Sequence, residues 1–337
     1  MTSVMTDSVG TARTATVELL RSALDRLDPH MRHVCGYHLG FWDTDGTPST
    51  PGGKGVRPEL VLLGTAAAGR DPLEAVPAAV AVELVHNFSL VHDDVMDGDE
   101  LRRHRTTVWA AFGLSTAILA GDAMLALAGE ILGAAPSPTV GYAVQALTAT
   151  TRRLIAGQTA DLALETRPDV TVAECLRMEA DKTGALLACS CSIGPMLTDA
   201  PASSAAALAE FGERVGLAFQ LDDDLLGIWG APEHTGKPVL SDLRSRKKSA
   251  PVVAALTSGT TAGDALQALY RQEAPLDEDE LYKAAALVEE AGGRTWAEHR
   301  AAAELDAALG ILADAFAGDE RAIPLSDMAV RLAGRDR

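Results

Sequence analysis

The chain has 337 residues, 47% of them hydrophobic, which excludes wholesale disorder. Lys+Arg is 29 and Asp+Glu is 47, a formal net charge of −18. That balance argues against binding nucleic acid, and against a basic surface lying on an anionic membrane, because both need an excess of Lys and Arg.

Aromatic residues are only 4%, while Ala and Leu dominate, which favours helices over strands. Residues 1–14 are small and polar and are expected to fray. They have no apolar core long enough for a signal peptide. From Thr16 the pattern is amphipathic, with Leu19, Leu20, Leu24 and Leu27 on one stripe. Asp43 to Gly55 is a loop by composition. PELVLLGTAAAG follows as a buried helix ended by Gly69, and a long helical run covers about Leu73 to Asp97, interrupted in composition only by Pro77. Further helices fall at about 114–133, 138–166, 171–196, 202–229, 249–258, 262–272, 278–291 and 294–316, separated by Gly/Pro/Ser/Asp breaks such as RPDV and EAPLDED.

Almost no strand alternation is present, so the fold class is all-α, a helical bundle around a central cavity. No composition shift marks a domain boundary, and residues 15–337 are expected to form one domain. The longest uncharged stretch, Ile131 to Thr151, is broken by Gly133, Pro136, Pro138 and Gly141 and is no integral membrane segment. Cys35, Cys175, Cys189 and Cys191 are too few and too irregular for a disulfide framework and read as small buried hydrophobes. A reduced, soluble, cytoplasmic protein is expected.

Two acidic clusters stand out. HDDVMD holds Asp93, Asp94 and Asp97, and FQLDDDLLG holds Asp222, Asp223 and Asp224, 223 − 93 = 130 residues later. Asp93 and Asp97 share a helix face. A solvated acidic face would explain one such cluster. It fits less well here, because like charges recur within apolar helical runs at two places. Hard oxygen ligands gathered in this way suit Mg²⁺, which keeps waters and bridges carboxylates to substrate phosphates.

A diphosphate ligand requires cations nearby. Lys54 and Arg57 follow a Gly-rich loop at a helix start, where backbone N–H groups also favour anions. Arg102 and Arg103 come soon after the first cluster, Lys182 and Thr183 lie in DKTGALL, Lys237 in TGKP, and Lys247 and Lys248 in DLRSRKKS. Taken singly, each is a surface charge. The combination gives them their weight.

In order, GGKGVRP, ELVHNFSLVHDDVMD, RRHRTTVW, GQTADL, DKTGALL, FQLDDDLLG and TGKPVLSDLRSRKKS resemble the trans-isoprenyl diphosphate synthases of the polyprenyl synthetase family, close to actinobacterial geranylgeranyl diphosphate synthases. The resemblance implies the isoprenoid-synthase type of helical bundle and a homodimer. It implies head-to-tail condensation of isopentenyl diphosphate with an allylic diphosphate (dimethylallyl, geranyl or farnesyl). Two or three Mg²⁺ ions, for which Mn²⁺ can substitute, would ionise the allylic substrate, and the released diphosphate would take the proton. Carried over by position, Lys54, Arg57, His86 and Arg103 bind isopentenyl diphosphate. Asp93, Asp94 and Asp97 bind metal from one side and Asp223 and Asp224 from the other. Arg102, Lys182, Thr183, Gln220, Lys237 and Lys247 hold the allylic diphosphate.

The chain departs from the family pattern in five places. Gly227 stands where many members have a third Asp, His104 and Thr106 stand in RRHRT where RRGxP is usual, Gly55 follows Lys54 where Arg is common, and Arg246 replaces the usual Gly before Lys247. The resemblance implies that product length is set by depth along the Asp93 helix. Phe88 and Ser89, five and four residues before Asp93, resemble the C20 pattern, which implies geranylgeranyl diphosphate as product. C15 and C25 products stay open, and from periodicity alone Phe88 is ordinary core. The competing readings are a class I terpene cyclase, which needs no isopentenyl diphosphate site, and a non-catalytic synthase subunit, which would be expected to lose Asp residues from its clusters.

Overall fold

Helix α1 spans Thr2–Ala23, so the segment expected to fray is helical. Val9, Ala12, Thr16 and Leu20 recur at three- and four-residue spacing and are buried, which gives its polar sequence one apolar stripe. The computed structural model describes residues 2–49, 55–102, 104–230 and 239–334. The chain forms two compact units that interleave in sequence, where composition pointed to one domain. Every boundary between them falls inside a helix, at 151/152, 188/189, 209/210, 314/315 and 325/326. No Pro- or Gly-rich linker therefore marks them.

The first unit is built on α2 (Pro29–His38), α3 (Val56–Ala67), α4 (Val76–Asp97), α5 (Val108–Phe112) and α6 (Leu114–Gly133). Helix α4 packs against α1, α3 and α6. A 3₁₀ turn at Pro72–Ala75 precedes it, which puts Pro77 in its first turn. There the missing N–H forfeits no hydrogen bond, so the proline begins the helix and does not interrupt it. Gly98, at φ 70°, ends α4 immediately after Asp97. The pairing of β1 (Leu101–Arg102) with β2 (Arg105–Thr106) makes a short hairpin. Helix α2 was not anticipated, although Asp28 capping His30 and Met31, with Pro29 in the first turn, is a start signal.

The second unit takes the later part of α7 (Val140–Thr166) and α8 (Val172–Glu179). A π turn at Ala180–Gly184 leads from α8 into α9 (Ala185–Leu197). It continues with most of α10 (Ala202–Trp229), then α11 (Ser241–Arg244), α12 (Ala250–Leu256), α13 (Thr261–Tyr270), α14 (Glu278–Glu290), α15 (Gly293–Ala315) and the end of α16 (Ile323–Ala333). RPDV and EAPLDED break the chain because Thr171 with Glu174, and Asp277 with Glu280, form capping boxes that start α8 and α14. Ile228, Leu243, Val252, Leu266, Leu281 and Val288 form one core cluster.

Among the described residues, two helical spans are long and apolar enough to cross a membrane by length and composition. The apolar 18-residue window of Pro72–Asp97 is 72% buried inside the fold, as in a core helix, and that of Leu114–Gly133 is 44% buried.

Candidate active site

The last turn of α4 carries Asp93 and Asp97 but no basic residue. Carbonyl groups and the negative end of the helix dipole gather there, so carboxylates at this end favour a nearby cation. Asp97 is exposed and Asp93 is half-buried. Asp94 differs from both: it turns inward, 1% exposed, and its Oδ1 accepts from Arg102 Nε at 2.6 Å. Burial pushes the Asp94 carboxyl above its ordinary value, and the Arg102 charge opposes that push.

Arg102 pairs with Arg105 across the hairpin, and His104 between them has φ 63°. That is the left-handed region where glycine is favoured, which explains why the family's usual residue there is Gly. Arg246, the other departure from a usual Gly, has φ 53° for the same reason. Its guanidinium donates to the Gln272 and Ala274 carbonyls, which fixes the turn before Lys247.

On the first turn of α3, Arg57 Nη1 lies 3.0 Å from His86 Nε2 on α4. A guanidinium can only donate, so His86 Nε2 is the acceptor. Phe88 and Ser89 are both buried on α4. The Phe88 ring meets His92 edge-on at 5.7 Å, and Ser89 Oγ donates to the His86 carbonyl at 2.8 Å. Lys54, Arg103 and Lys237 lie outside the described residues.

In the second unit the π turn presents Lys182 and Thr183 to a cleft of about 280 Å³. The turn is held closely on both sides. A Cβ at Gly157 of α7 would fall 2.3 Å from the Lys182 nitrogen, and one at Gly216 of α10 would fall 2.6 Å from Gly184 Cα. Only glycine admits the bulged backbone at these two contacts. Lys182 Nζ donates to Asp161 Oδ2 at 2.5 Å, and Thr183 Oγ1 to Gln220 Oε1 at 2.8 Å. Gln220 Nε2 donates to Asp224 Oδ1 at 3.0 Å, and the Ala250 N–H to Asp224 Oδ2 at 3.0 Å. Lys247 Nζ stands 3.9 Å from Asp224. Burial alone would depress Lys247, but Asp224, Asp242 and Asp161 together hold it protonated. Burial, then the charge of Asp224, pushes the Glu179 carboxyl well above its ordinary value. Asp223, next to Asp224, is exposed.

Five of the expected residues therefore meet in one place: Lys182, Thr183, Gln220, Asp224 and Lys247. Asp161, Glu179 and Ser249, also in the cleft wall, had been given no role. GQTADL held the signal for Asp161. Glu179 gave none, because one acid in MEADKTG reads as helix surface.

Among the described residues no three carboxylate, imidazole or thiol groups converge into a metal cage. Mg²⁺ does not require one, since one or two carboxylates plus substrate phosphates suffice. Asp93 and Asp97, one turn apart at a helix end whose own last turn carries no basic residue, fit that role. Asp224 fits it less well, because both of its oxygens already accept hydrogen bonds.

The Polyprenyl synthetase family profile matches residues 47–288. The (2E,6E)-farnesyl diphosphate synthase of Mycobacterium tuberculosis is 51% identical over 325 residues, 95% of this chain and 90% of that protein. The geranylgeranyl diphosphate synthase of the same organism is 44% identical over 315 residues, 93% of this chain and 90% of that protein. A solved polyprenyl synthetase from Streptomyces coelicolor A3(2) superposes with a TM-score of 0.87 at 46% identity, covering 98% of each chain. The chain belongs to the polyprenyl synthetase family, with the all-helical fold of the isoprenoid synthases, and is a prenyltransferase of the trans-prenyl diphosphate synthase type.

Proposed function

We propose that the protein condenses isopentenyl diphosphate head-to-tail with allylic diphosphates and stops at geranylgeranyl diphosphate. The observation that carries the reading is the cleft in which Lys182, Thr183, Gln220 and Lys247 converge, two cations and two polar groups suited to a diphosphate. Lys182, Lys247 and the Arg102 guanidinium bind the allylic diphosphate, joined by Lys237. Asp94 and Asp161 position Arg102 and Lys182. Arg57 and His86, with Lys54 and Arg103, bind isopentenyl diphosphate. Asp93, Asp97 and Asp223 hold Mg²⁺, which when bound supplies the Lewis acidity that weakens the allylic C1–O bond. The C4 carbon of isopentenyl diphosphate bonds to allylic C1, the diphosphate leaves, and the proton at C2 is lost to it. Buried side chains around Phe88 keep water from the cation.

Ser89 above a buried Phe88 supports a C20 product. The 51% identity to a farnesyl diphosphate synthase supports C15 as the second reading. A second copy of this chain is the proposed partner. Leu114, Ile118 and Leu119 leave an apolar face of α6 exposed, 54%, 44% and 56% respectively, which dimerisation would cover. Four free, buried cysteines support a reducing, cytoplasmic setting. Mass spectrometry of products from isopentenyl diphosphate and farnesyl diphosphate with Mg²⁺ tests the reading: a C20 diphosphate supports it, and no elongation of farnesyl diphosphate refutes the C20 assignment.

A further inference from the structure

Among the cations of DLRSRKKS, Lys248 stands apart. Lys247 and Ser249 line the cleft of the second unit, and Lys248 between them does not. Its ammonium goes to the carbonyl end of α7. Lys248 Nζ donates to the Leu164 carbonyl at 2.9 Å, to the Glu165 carbonyl at 3.0 Å and to the Arg167 carbonyl. An ammonium has three N–H donors and no acceptor, so none is left for a phosphate.

The end of α7 calls for such a partner. The last carbonyls of a helix lack their usual donor, and a cation there also meets the negative end of the dipole. Helix α7 has no basic residue in its last turn. Arg167 and Pro168 follow Thr166, so no glycine closes the end with its own backbone. The chain's own closing contact, from the Arg167 N–H to the Leu164 carbonyl, is a long 3.3 Å. Lys248, 81 residues beyond Arg167, supplies the missing donors from another segment.

This anchorage reaches both cations of the cleft. Asp161, one turn before Leu164 and Glu165 on α7, accepts from Lys182 Nζ at 2.5 Å. Lys247 directly precedes Lys248 in the chain, and Cys175 Sγ on α8 donates to the Lys248 carbonyl at 3.4 Å. One residue thus ties the helix that holds Lys182 to the stretch that carries Lys247, and fixes that stretch against α8 as well.

We infer that Lys248 is a positioning residue of the cleft: by capping the carbonyl end of α7 it sets Lys247 through the chain and Lys182 through Asp161, and it does not touch the ligand. That the ligand is an allylic diphosphate rests on the prenyl diphosphate synthase reading.

The test is binding of inorganic pyrophosphate to the full chain in Mg²⁺, measured by calorimetry, with KM for each substrate alongside. Lys248→Met keeps the stem and removes the ammonium. It is expected to weaken pyrophosphate binding about tenfold, the loss of one well-placed charged contact. KM for the allylic substrate should rise in step while KM for isopentenyl diphosphate stays put. Lys248→Arg returns a charged donor to the helix end and is expected to recover most of the affinity. In a Lys247→Met background, Lys248→Met is expected to cost at most about threefold more, because one of the groups it places is gone. Unchanged pyrophosphate binding in Lys248→Met would overturn the inference. So would the full tenfold loss in both backgrounds, which would make Lys248 a ligand in its own right, or an equal rise in both KM values, which would mean general loosening of the fold. If the wild type elongates allylic diphosphates while Lys248→Met binds pyrophosphate normally, this inference alone falls. If the wild type binds pyrophosphate as described but elongates nothing, the reading beneath it falls and the positioning role stands.

Discussion

Arg57 and His86 are joined by a 3.0 Å contact that ties the first turn of α3 to the middle of α4. The guanidinium is held two helical turns from Asp93, on the same stripe, before any substrate arrives. Preorganisation of this kind reduces the ordering cost of binding an anion. Arg57→Ala is expected to raise KM for isopentenyl diphosphate by roughly 10- to 150-fold, the loss of a charge-assisted contact of about 1.5–3 kcal/mol. KM for the allylic substrate should move little. Steady-state kinetics with each substrate varied in turn checks this, and equal effects on both would contradict it.

Metal dependence follows from the acidic last turn of α4. Asp93→Ala is expected to lower turnover by several orders of magnitude, because ionisation of the leaving group loses its electrophile. EDTA should abolish activity and Mg²⁺ or Mn²⁺ restore it. Full turnover in EDTA would exclude this account of Asp93.

Phe88 and Ser89 carry the length prediction. Phe88→Ala should lengthen the main product by at least one C5 unit, and Ser89→Phe should shift it toward C15. Phe88 is 5% exposed, so its loss should also cost about 3–5 kcal/mol of stability. Product distributions compared at equal soluble protein separate the two effects. Unchanged length in both variants would place the floor elsewhere.

Glu179 predicts a pH-dependent stability. Burial first, and then Asp224, raise its carboxyl well above the ordinary 4.5. The folded protein therefore keeps a proton that the unfolded chain releases. Stability is expected to fall as pH rises from about 4.5 toward the folded value, by up to about 1.4 kcal/mol per pH unit. Glu179→Gln should flatten that slope. Urea titrations at several pH values measure it, and identical slopes in the two proteins would contradict the assignment.

The hairpin offers a stabilising change. His104 at φ 63° carries the cost of a left-handed backbone, and His104→Gly should recover about 1 kcal/mol. A thermal melt checks this, and a lower Tm would contradict it.

The acidic clusters, the cationic segments and most helix bounds were legible in the sequence, because burial periodicity and capping are local. Helix α10 was expected over 202–229 and spans Ala202–Trp229. The residues that escaped were those whose meaning depends on distant partners. Nothing in MEADKTG marks a π turn, which exists because Gly157 and Gly216 leave room for it from two other helices. Asp94 reads like Asp93 and Asp97 in DDVMD, and only the packing of α4 turns it toward Arg102. The helical N-terminus escaped because its stripe is made of small residues such as Ala12 and Thr16. The two units escaped because their boundaries run through continuous helices.

The central claim is that this chain joins isopentenyl diphosphate to allylic diphosphates. Purified protein with Mg²⁺ should be given dimethylallyl, geranyl or farnesyl diphosphate, each with and without isopentenyl diphosphate, and the products read by mass spectrometry. The account predicts that prenyl diphosphates lengthened by C5 units appear only when isopentenyl diphosphate is present, ending at C20. Conversion of an allylic diphosphate to a hydrocarbon with isopentenyl diphosphate untouched would contradict it.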